Sequence, residues 1–276
     1  MYNKTITQKP KAYIDIFIIF TLLVWLLLFI CFGPVKRRKT RNIGFKVYSH
    51  RGLLKQAPEN TMAAFQAAIK SGIRAIELDV VQTKDKEIVC SHNFDLERET
   101  NGFGYIFNKT WAELRGISVG PQKEIAPTSI PRLKDVLEHL PDYCHVNIEI
   151  KTHKLFDVST AIGVTKIIQQ SNRCDTITVS SFNPITLRIV KTIEPKIDTG
   201  FLIKKPQLTP LVLFSSADNL HPRADVFSKQ MWDYCKRHLL SVNIWTVNTK
   251  PGAVFLHKRN INGIITDYPK IATISI

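Results

Sequence analysis

Cysteine pairs and glycine-rich loops are missing from this sequence, and their absence excludes several classes of protein. The five cysteines among 276 residues stand at positions 31, 90, 144, 174 and 235, and no two are separated by only two residues. A disulfide-rich secreted scaffold and a zinc ribbon are therefore excluded. No glycine-rich phosphate loop follows the first predicted strand, which counts against an open dinucleotide-binding sheet. Because 44% of the residues are apolar, the chain can bury a sizeable core, and disorder is excluded as its dominant state.

Acidic residues are too few to balance the basic ones, and the formal net charge is +15. The excess is unevenly distributed. Residues 1–46 contain nine Lys or Arg and one acidic residue, whereas the five-fold longer remainder carries a net +7. A positive excess around one apolar segment is typical of a membrane protein, and we expect no nucleic-acid partner.

One long apolar run lies inside this basic region. From Ile16 to Phe32 the only polar residue is Thr21, and the run extends over residues 12–33 with Asp15 as an interruption. Because a helix rises about 1.5 Å per residue, this length predicts a single membrane span. A secretory signal peptide is the alternative, but the run exceeds the usual length of its apolar region and no small-residue cleavage site follows.

The flanks of the run complete this N-terminal organisation. We predict a tail over residues 1–11, the transmembrane helix over 12–33 and a basic linker over 34–44. Five basic residues follow the run and three precede it. This bias favours a cytoplasmic position for everything that follows the span.

Residues 45–276 alternate between strand and helix patterns. The predicted strands are 46–49, 75–81, 145–151, 177–181, 199–203, 217–220, 242–247 and 263–266. The predicted helices are 60–70, 133–140, 158–170, 185–193, 227–238 and 251–258. A further extended run covers 87–91, and a loop-rich insertion covers about 93–130. Alternation implies parallel strands, and eight of them in this length predict an α/β fold, a (β/α)₈ TIM barrel. A doubly wound open sheet is the alternative.

Three acidic residues lie inside apolar strand patterns. Glu77 and Asp79 are two residues apart and so share one face of a strand, and Glu149 is placed in the same way on the next predicted strand. Carboxylates that converge on a buried face must be neutralised. A divalent cation with oxygen ligands, Mg²⁺ or Ca²⁺, would do so. An exposed edge strand with solvated carboxylates is the alternative.

Two histidines end strand-like segments, where barrel enzymes place their catalytic residues. His50 follows the first strand, and His92 follows the run 87–91. A pair of histidines can divide general acid and general base work, because the unperturbed pKa lies near 6.5. Arg51 stands beside His50 and has the fork geometry for a phosphate, and Lys151 shares the strand face of Glu149 and can offset anionic charge.

These segments and those after them resemble one family in their order along the chain. The motifs are His50-Arg51-Gly52, Pro58-Glu59-Asn60-Thr61, Glu77-Leu78-Asp79-Val80, His92, Arg98, Thr100-Asn101-Gly102, Glu149-Ile150-Lys151, Ser180-Ser181-Phe182, Trp245-Thr246-Val247-Asn248 and Thr266-Asp267. Their combination over about residues 46–270 resembles the glycerophosphodiester phosphodiesterase family.

The resemblance implies a role for each motif residue. It implies His50 and His92 as the acid/base pair, and Arg51 and Lys151 as phosphate contacts. It implies that Glu77, Asp79 and Glu149 hold one divalent metal, that Trp245 lines the substrate pocket and that Glu59 lies near the site. The chain departs from the family at Asn93, where an Asp usually follows the second histidine.

Three functions remain open from the sequence. The first is hydrolysis of glycerophosphodiesters to glycerol 3-phosphate and an alcohol. The second is a lysophospholipase D reaction at the same site, which the predicted membrane span motivates and which an open apolar groove beside the site would favour. The third is a membrane-bound protein that binds phospholipid headgroups with weak catalysis or none.

Overall fold

The computed structural model describes residues 9–32, 44–120 and 128–273. The described residues fall into two compact units, one within 1–36 and one within 37–276. Parts of three predicted segments lie outside the described residues: residues 1–8 of the tail 1–11, residues 34–43 of the basic linker and residues 121–127 of the insertion.

The first unit contains one helix, α1, over Lys9–Phe32. The structure describes its side chains at positions 13–24. Within the part of the chain that the structure describes, no helix is both long enough and apolar enough to cross a membrane. The transmembrane helix predicted over 12–33 is therefore not confirmed.

The second unit alternates strands and helices along the chain. Its strands are β1 Lys46–His50, β2 Ala75–Gln82, β3 Ile88–Cys90, β4 Ser118–Val119, β5 Thr128–Ser129, β6 His145–Ile150, β7 Ile177–Ser181, β8 Asp198–Ile203, β9 Asn219–Pro222, β10 Ser241–Ile244 and β11 Gly263–Thr266. Its helices are α2 Met62–Lys70, α3 Trp111–Leu114, α4 Leu133–His139, α5 Ser159–Gln170, α6 Pro184–Ile193, α7 Leu211–Phe214, α8 Lys229–Arg237 and α9 Lys250–His257. Short 3₁₀ turns cover 106–108, 206–208, 224–226 and 269–273.

Eight parallel strands close into a barrel. The order is β1-β2-β6-β7-β8-β9-β10-β11, and β11 pairs with β1 to complete the ring. The prediction of a (β/α)₈ barrel is confirmed, and the closing pair excludes the open doubly wound sheet. The short strand β3 is not part of the ring, because it pairs antiparallel with the last residues of β2.

The main core lies between the barrel strands and the surrounding helices. Apolar residues on the outer faces of the strands pack against the apolar stripe of each helix, as Ile76, Leu78 and Ile148 do, and all three are fully buried. The opposite strand faces point into the barrel and meet at its mouth. The alternation of strand residues thus separates the structural face from the functional face.

The insertion after β2 and β3 does not form an independent domain. Its buried residues Leu96, Ile106 and Leu114 join one small cluster with Val81 of β2 and Val89 of β3. The loop-rich segment is therefore packed on the end of these two strands, as the sequence predicts for an elaborated loop. It holds the residues after β3 beside the barrel mouth.

The turn after β1 has an unusual backbone. Arg51 has a φ of +57° and Gly52 a φ of +92°, a region that side chains other than glycine rarely adopt. A Cβ at Gly52 would lie 2.7 Å from Cβ of Ala64 in α2. The glycine therefore lets the turn pack directly on the helix, and this turn directs Arg51 over the mouth of the barrel.

Candidate active site

The register of the barrel strands gathers the three predicted acidic residues. His50 lies opposite Glu77 in the β1–β2 pair, and Asp79 lies opposite Glu149 in the β2–β6 pair. Oxygens of Glu77, Asp79 and Glu149 all lie within 4.8 Å of one another. The side chains are only 2%, 1% and 9% exposed, so the alternative of solvated carboxylates on an edge strand is wrong. We call these three residues the carboxylate cluster.

Two basic side chains and one amide line the carboxylate cluster. Lys151 Nζ lies 3.0 Å from Asp79 Oδ1 and 2.6 Å from Glu149 Oε1. Arg51 Nε lies 3.1 Å from Asp79 Oδ2. Asn60 donates from Nδ2 to the same Asp79 oxygen at 3.0 Å, and its own Oδ1 accepts the Asp79 backbone N–H. The sequence predicts both basic residues near the site, whereas it assigns no role to Asn60.

The carboxylates differ in how readily they ionise. Burial raises the pKa of Glu77 to about 8, and the charges of Asp79 and Glu149 add to this effect. Burial also raises the pKa of Glu149. Burial acts in the same direction on Asp79, but the neighbouring Lys151 and Arg51 outweigh it and hold the pKa of Asp79 below its usual value. Of the three carboxylates, Glu77 therefore holds a proton most readily, and additional positive charge in the cluster would favour its loss.

His50 is held by a carboxylate from the other end of the chain. Its Nδ1 lies 2.6 Å from Asp267 Oδ1, just after β11. Asn248 fixes that carboxylate by donating from Nδ2 to Asp267 Oδ2 at 2.6 Å. The second ring nitrogen, Nε2, therefore faces the carboxylate cluster and lies 3.9 Å from Glu77 Oε2.

The partners of His50 change its acidity. Burial lowers the pKa of His50, but the hydrogen bond that its ring donates to Asp267 and the nearby charge of Glu77 raise the pKa above its usual value overall. Asp267 and Asn248 occur in the family-like motifs, but their positions in the sequence do not reveal this contact. The family resemblance points to these two residues, whereas the contact between Asp267 and His50 forms because the barrel closes.

His92 approaches the cluster from the loop after β3. The backbone bond from Ser91 N to Asp79 O, at 3.1 Å, ties this loop to β2. The His92 side chain is 33% exposed, and its partial burial lowers its pKa to about 4. His92 is thus neutral near pH 7 and free to accept a proton.

Two other predicted residues lie beside the histidines. Glu59 accepts from Arg51 Nη1 with both oxygens, at 2.8 and 3.0 Å. Asn93 donates from Nδ2 to Glu99 Oε1 at 2.5 Å. The structure therefore places Glu59 at the site as predicted, and it connects Asn93 to a carboxylate that the sequence does not single out.

Trp245 follows β10 and belongs to a separate aromatic group. Its ring meets Phe182 edge to face at 5.7 Å, and its Nε1 donates to His221 O at 2.8 Å. Lys204 Nζ lies over both rings, 4.8 Å from the centre of Phe182 and 5.8 Å from that of Trp245. Trp245 also packs against the small apolar cluster of Tyr48, Ala75 and Ile265, and its role in a substrate pocket stays a prediction.

Comparisons with known proteins agree on one family. Residues 50–271 match the model of the glycerophosphoryl diester phosphodiesterase family. A glycerophosphodiester phosphodiesterase of Caldanaerobacter subterraneus is 34% identical over 81% of this chain and 94% of its own. A phosphodiesterase of Oleispira antarctica, solved with the product sn-glycerol-3-phosphate, has a TM-score of 0.75 and 28% identity over 83% of this chain and 95% of its own. A human lysophospholipase D is 34% identical over 50% of this chain and 45% of its own.

The His50–Asp267 pair gives a prediction that can be tested on the free protein. Asp267→Asn should lower the pKa of His50, because burial remains while the charged partner is lost. An NMR titration of the His50 imidazole measures this change, and Asp225→Asn at an exposed position is the control. Since the raised pKa stabilises the fold fully below pH ~6.5 and loses this effect as pH rises through the His50 pKa, the variant should be destabilised more at pH 6 than at pH 9. An unchanged His50 pKa would contradict the assignment.

Proposed function

The chain belongs to the glycerophosphoryl diester phosphodiesterase family and is a phosphoric diester hydrolase, and we propose that it splits glycerophosphodiesters into glycerol 3-phosphate and an alcohol. One observation supports this reaction above the others. Two histidines, His50 and His92, flank a buried carboxylate cluster with two cationic side chains at the mouth of one barrel. Such a site suits an anionic diester that needs charge neutralisation and proton transfer.

The proposal includes one divalent cation, Mg²⁺ or Ca²⁺, held by Glu77, Asp79 and Glu149. Asp79 Oδ1 and Glu149 Oε1 are buried, and the partner described for both is Lys151 Nζ, at 3.0 and 2.6 Å, which leaves each oxygen with further lone pairs. Lone pairs on these oxygens are thus available to a metal, and hard oxygen donors suit both ions. When bound, the cation would polarise a phosphoryl oxygen and offset the charge that develops there.

The side chains of the chain itself provide the proton transfers and bind the phosphate. One histidine removes a proton from the nucleophile, a water or a neighbouring glycerol hydroxyl, as its oxygen bonds to phosphorus, and the other delivers a proton to the oxygen that leaves when the P–O bond breaks; a cyclic product of the hydroxyl would then be opened by water. Asp267 fixes the ring of His50 so that Nε2 faces the site. Lys151 and Arg51 supply positive charge for the diester, and the aromatic group of Trp245 and Phe182 lies to one side, where it would contact the glycerol or its substituent.

Hydrolysis of a panel of water-soluble glycerophosphodiesters tests the function. His50→Ala and His92→Ala should each lower the rate by about 10²-fold or more, whereas His139→Ala, at an exposed position of α4, should not. A chelator should abolish turnover and added Mg²⁺ or Ca²⁺ should restore it. Binding of the diesters without turnover by the unmodified chain would instead favour the headgroup-binding protein.

A second candidate function, lysophospholipase D activity, is favoured by a groove beside the site. A cavity of about 310 Å³ begins at Glu149 and Lys151 and continues between Phe94, Leu155 and Phe182. The lining combines charged side chains of the site with apolar ones, as a phosphate joined to an acyl chain would require. The half-length similarity to a human lysophospholipase D points in the same direction.

The groove makes this second candidate testable by one exposed side chain. Leu155 is 57% exposed, so Leu155→Asp should leave the fold intact. It should reduce turnover of a lysophospholipid by about tenfold, because a charge in the groove opposes burial of an acyl chain. Turnover of a water-soluble glycerophosphodiester should not change. Leu239→Asp, at the opposite end of the barrel, is the control, and equal effects of Leu155→Asp on both substrates would exclude the groove.

We also propose that the apolar run 12–33 anchors the enzyme in a membrane with the catalytic domain on the cytoplasmic side. The proposal is supported by the length of the run, the helix over Lys9–Phe32 and the positive excess after it. After cell fractionation, the chain should stay with membranes in alkaline carbonate and be released by detergent. Release by carbonate alone would contradict a span.

A further inference from the structure

The carboxylates of Glu99 and Glu59 lie beside His92, and one polar atom from each of the three side chains lies within 4.8 Å of the other two. Glu99 Oε1 is 4.0 Å from His92 Nδ1. The same oxygen accepts the hydrogen bond from Asn93 Nδ2 at 2.5 Å. One amide therefore fixes the particular oxygen that faces the histidine.

Backbone hydrogen bonds hold Glu99 and Asn93 in place. The Glu99 carbonyl accepts from Gly120 N at 2.7 Å, and the Asn93 carbonyl accepts from Ser91 Oγ at 2.9 Å. Arg98 Nη1 lies 3.5 Å from Asn93 Oδ1. A guanidinium donor at one end of the amide and a carboxylate at the other define which end carries the NH₂ group. The orientation that donates to Glu99 is the one that satisfies both.

Each histidine has a carboxylate oxygen on its Nδ1 side, hydrogen-bonded at 2.6 Å to His50 but 4.0 Å away from His92. His50 has Asp267 at its Nδ1, and a side-chain amide, that of Asn248, holds the carboxylate. His92 has Glu99 on its Nδ1 side, and the amide of Asn93 holds it. Asn93 carries no charge and cannot itself stabilise a protonated imidazole. The nearby carboxylate can, because an opposite charge within about 4–6 Å favours the charged form of a titrating group.

We propose that Glu99 is a positioning residue that stabilises His92 whenever it carries the proton, and that Asn93 serves to hold Glu99 there. Glu99 thereby supplies the negative charge that relatives with Asp after the second histidine carry one residue from the ring. The surroundings of Glu99 also include Glu59 and Arg51. Burial, the charge of Glu59 and a hydrogen bond between these two carboxyl groups raise the pKa of Glu99 to about 7, so the negative charge beside His92 grows as the pH rises through that range. The inference rests on the proposed diesterase function.

The test removes the negative charge from residue 99 and then restores it at residue 93, on the other side of the hydrogen bond between the two side chains. Glu99→Gln removes the carboxylate and keeps the shape of the side chain. It should lower kcat by about tenfold, the effect of losing about one pKa unit of stabilisation, and leave KM within about twofold, since the substrate phosphate is bound elsewhere. Combining Asn93→Asp with Glu99→Gln reverses the donor and the acceptor and returns the charge to the neighbourhood of His92. This double variant should recover most of the lost kcat.

The control is Glu97→Gln, in the same loop, where the exposed Glu97 accepts a hydrogen bond from Gly104 N. It should keep the wild-type kcat and KM. A wild-type kcat in Glu99→Gln would overturn the inference. A loss that the double variant does not recover, or one confined to KM, would do the same, because it would show a structural or binding role. A wild-type chain without diesterase activity would refute the proposed function instead, so the two failures are distinguishable.

Discussion

Three carboxylates buried side by side at the mouth of the barrel are the constraint on which the rest of the site depends. Glu77, Asp79 and Glu149 have little water around them, and two cationic side chains cannot neutralise them all. The raised pKa of Glu77 is the direct consequence, because one member of the cluster must keep a proton. A protein rarely retains such an arrangement for stability alone. The cluster is instead suited to a cation and an anionic substrate.

The barrel creates this constraint by its register. Pairing of β2 with both neighbours places Glu77 against His50 and Asp79 against Glu149, and closure of the ring brings Asp267 to His50. The outer faces of the same strands are apolar and fully packed. The stability of the core thus compensates for the unfavourable burial of charge at the mouth, and the functional groups stay on rigid strand ends.

The barrel architecture can be predicted from the sequence, because the alternation of strands and helices is a local pattern. The carboxylate cluster can be predicted for the same reason. The strands 177–181 and 263–266 are observed as predicted, and two acidic residues spaced by two on an apolar strand indicate their shared face. Long-range contacts are different. Asp267 is 217 residues from His50, and neither it nor Asn248 has a local pattern that indicates its partner. Glu99 lies in an irregular loop, where no period relates sequence to direction.

Calorimetric titration of Mg²⁺ or Ca²⁺ into the protein, in two buffers of different ionisation enthalpy, tests the central claim most directly. If a cation displaces a proton from the carboxylate cluster, where Glu77 has a raised pKa, binding at pH 7 should release protons. The release should decrease as the pH rises above 8, and Glu77→Gln should abolish it. Absence of binding, or binding without proton release at pH 7, would contradict the account.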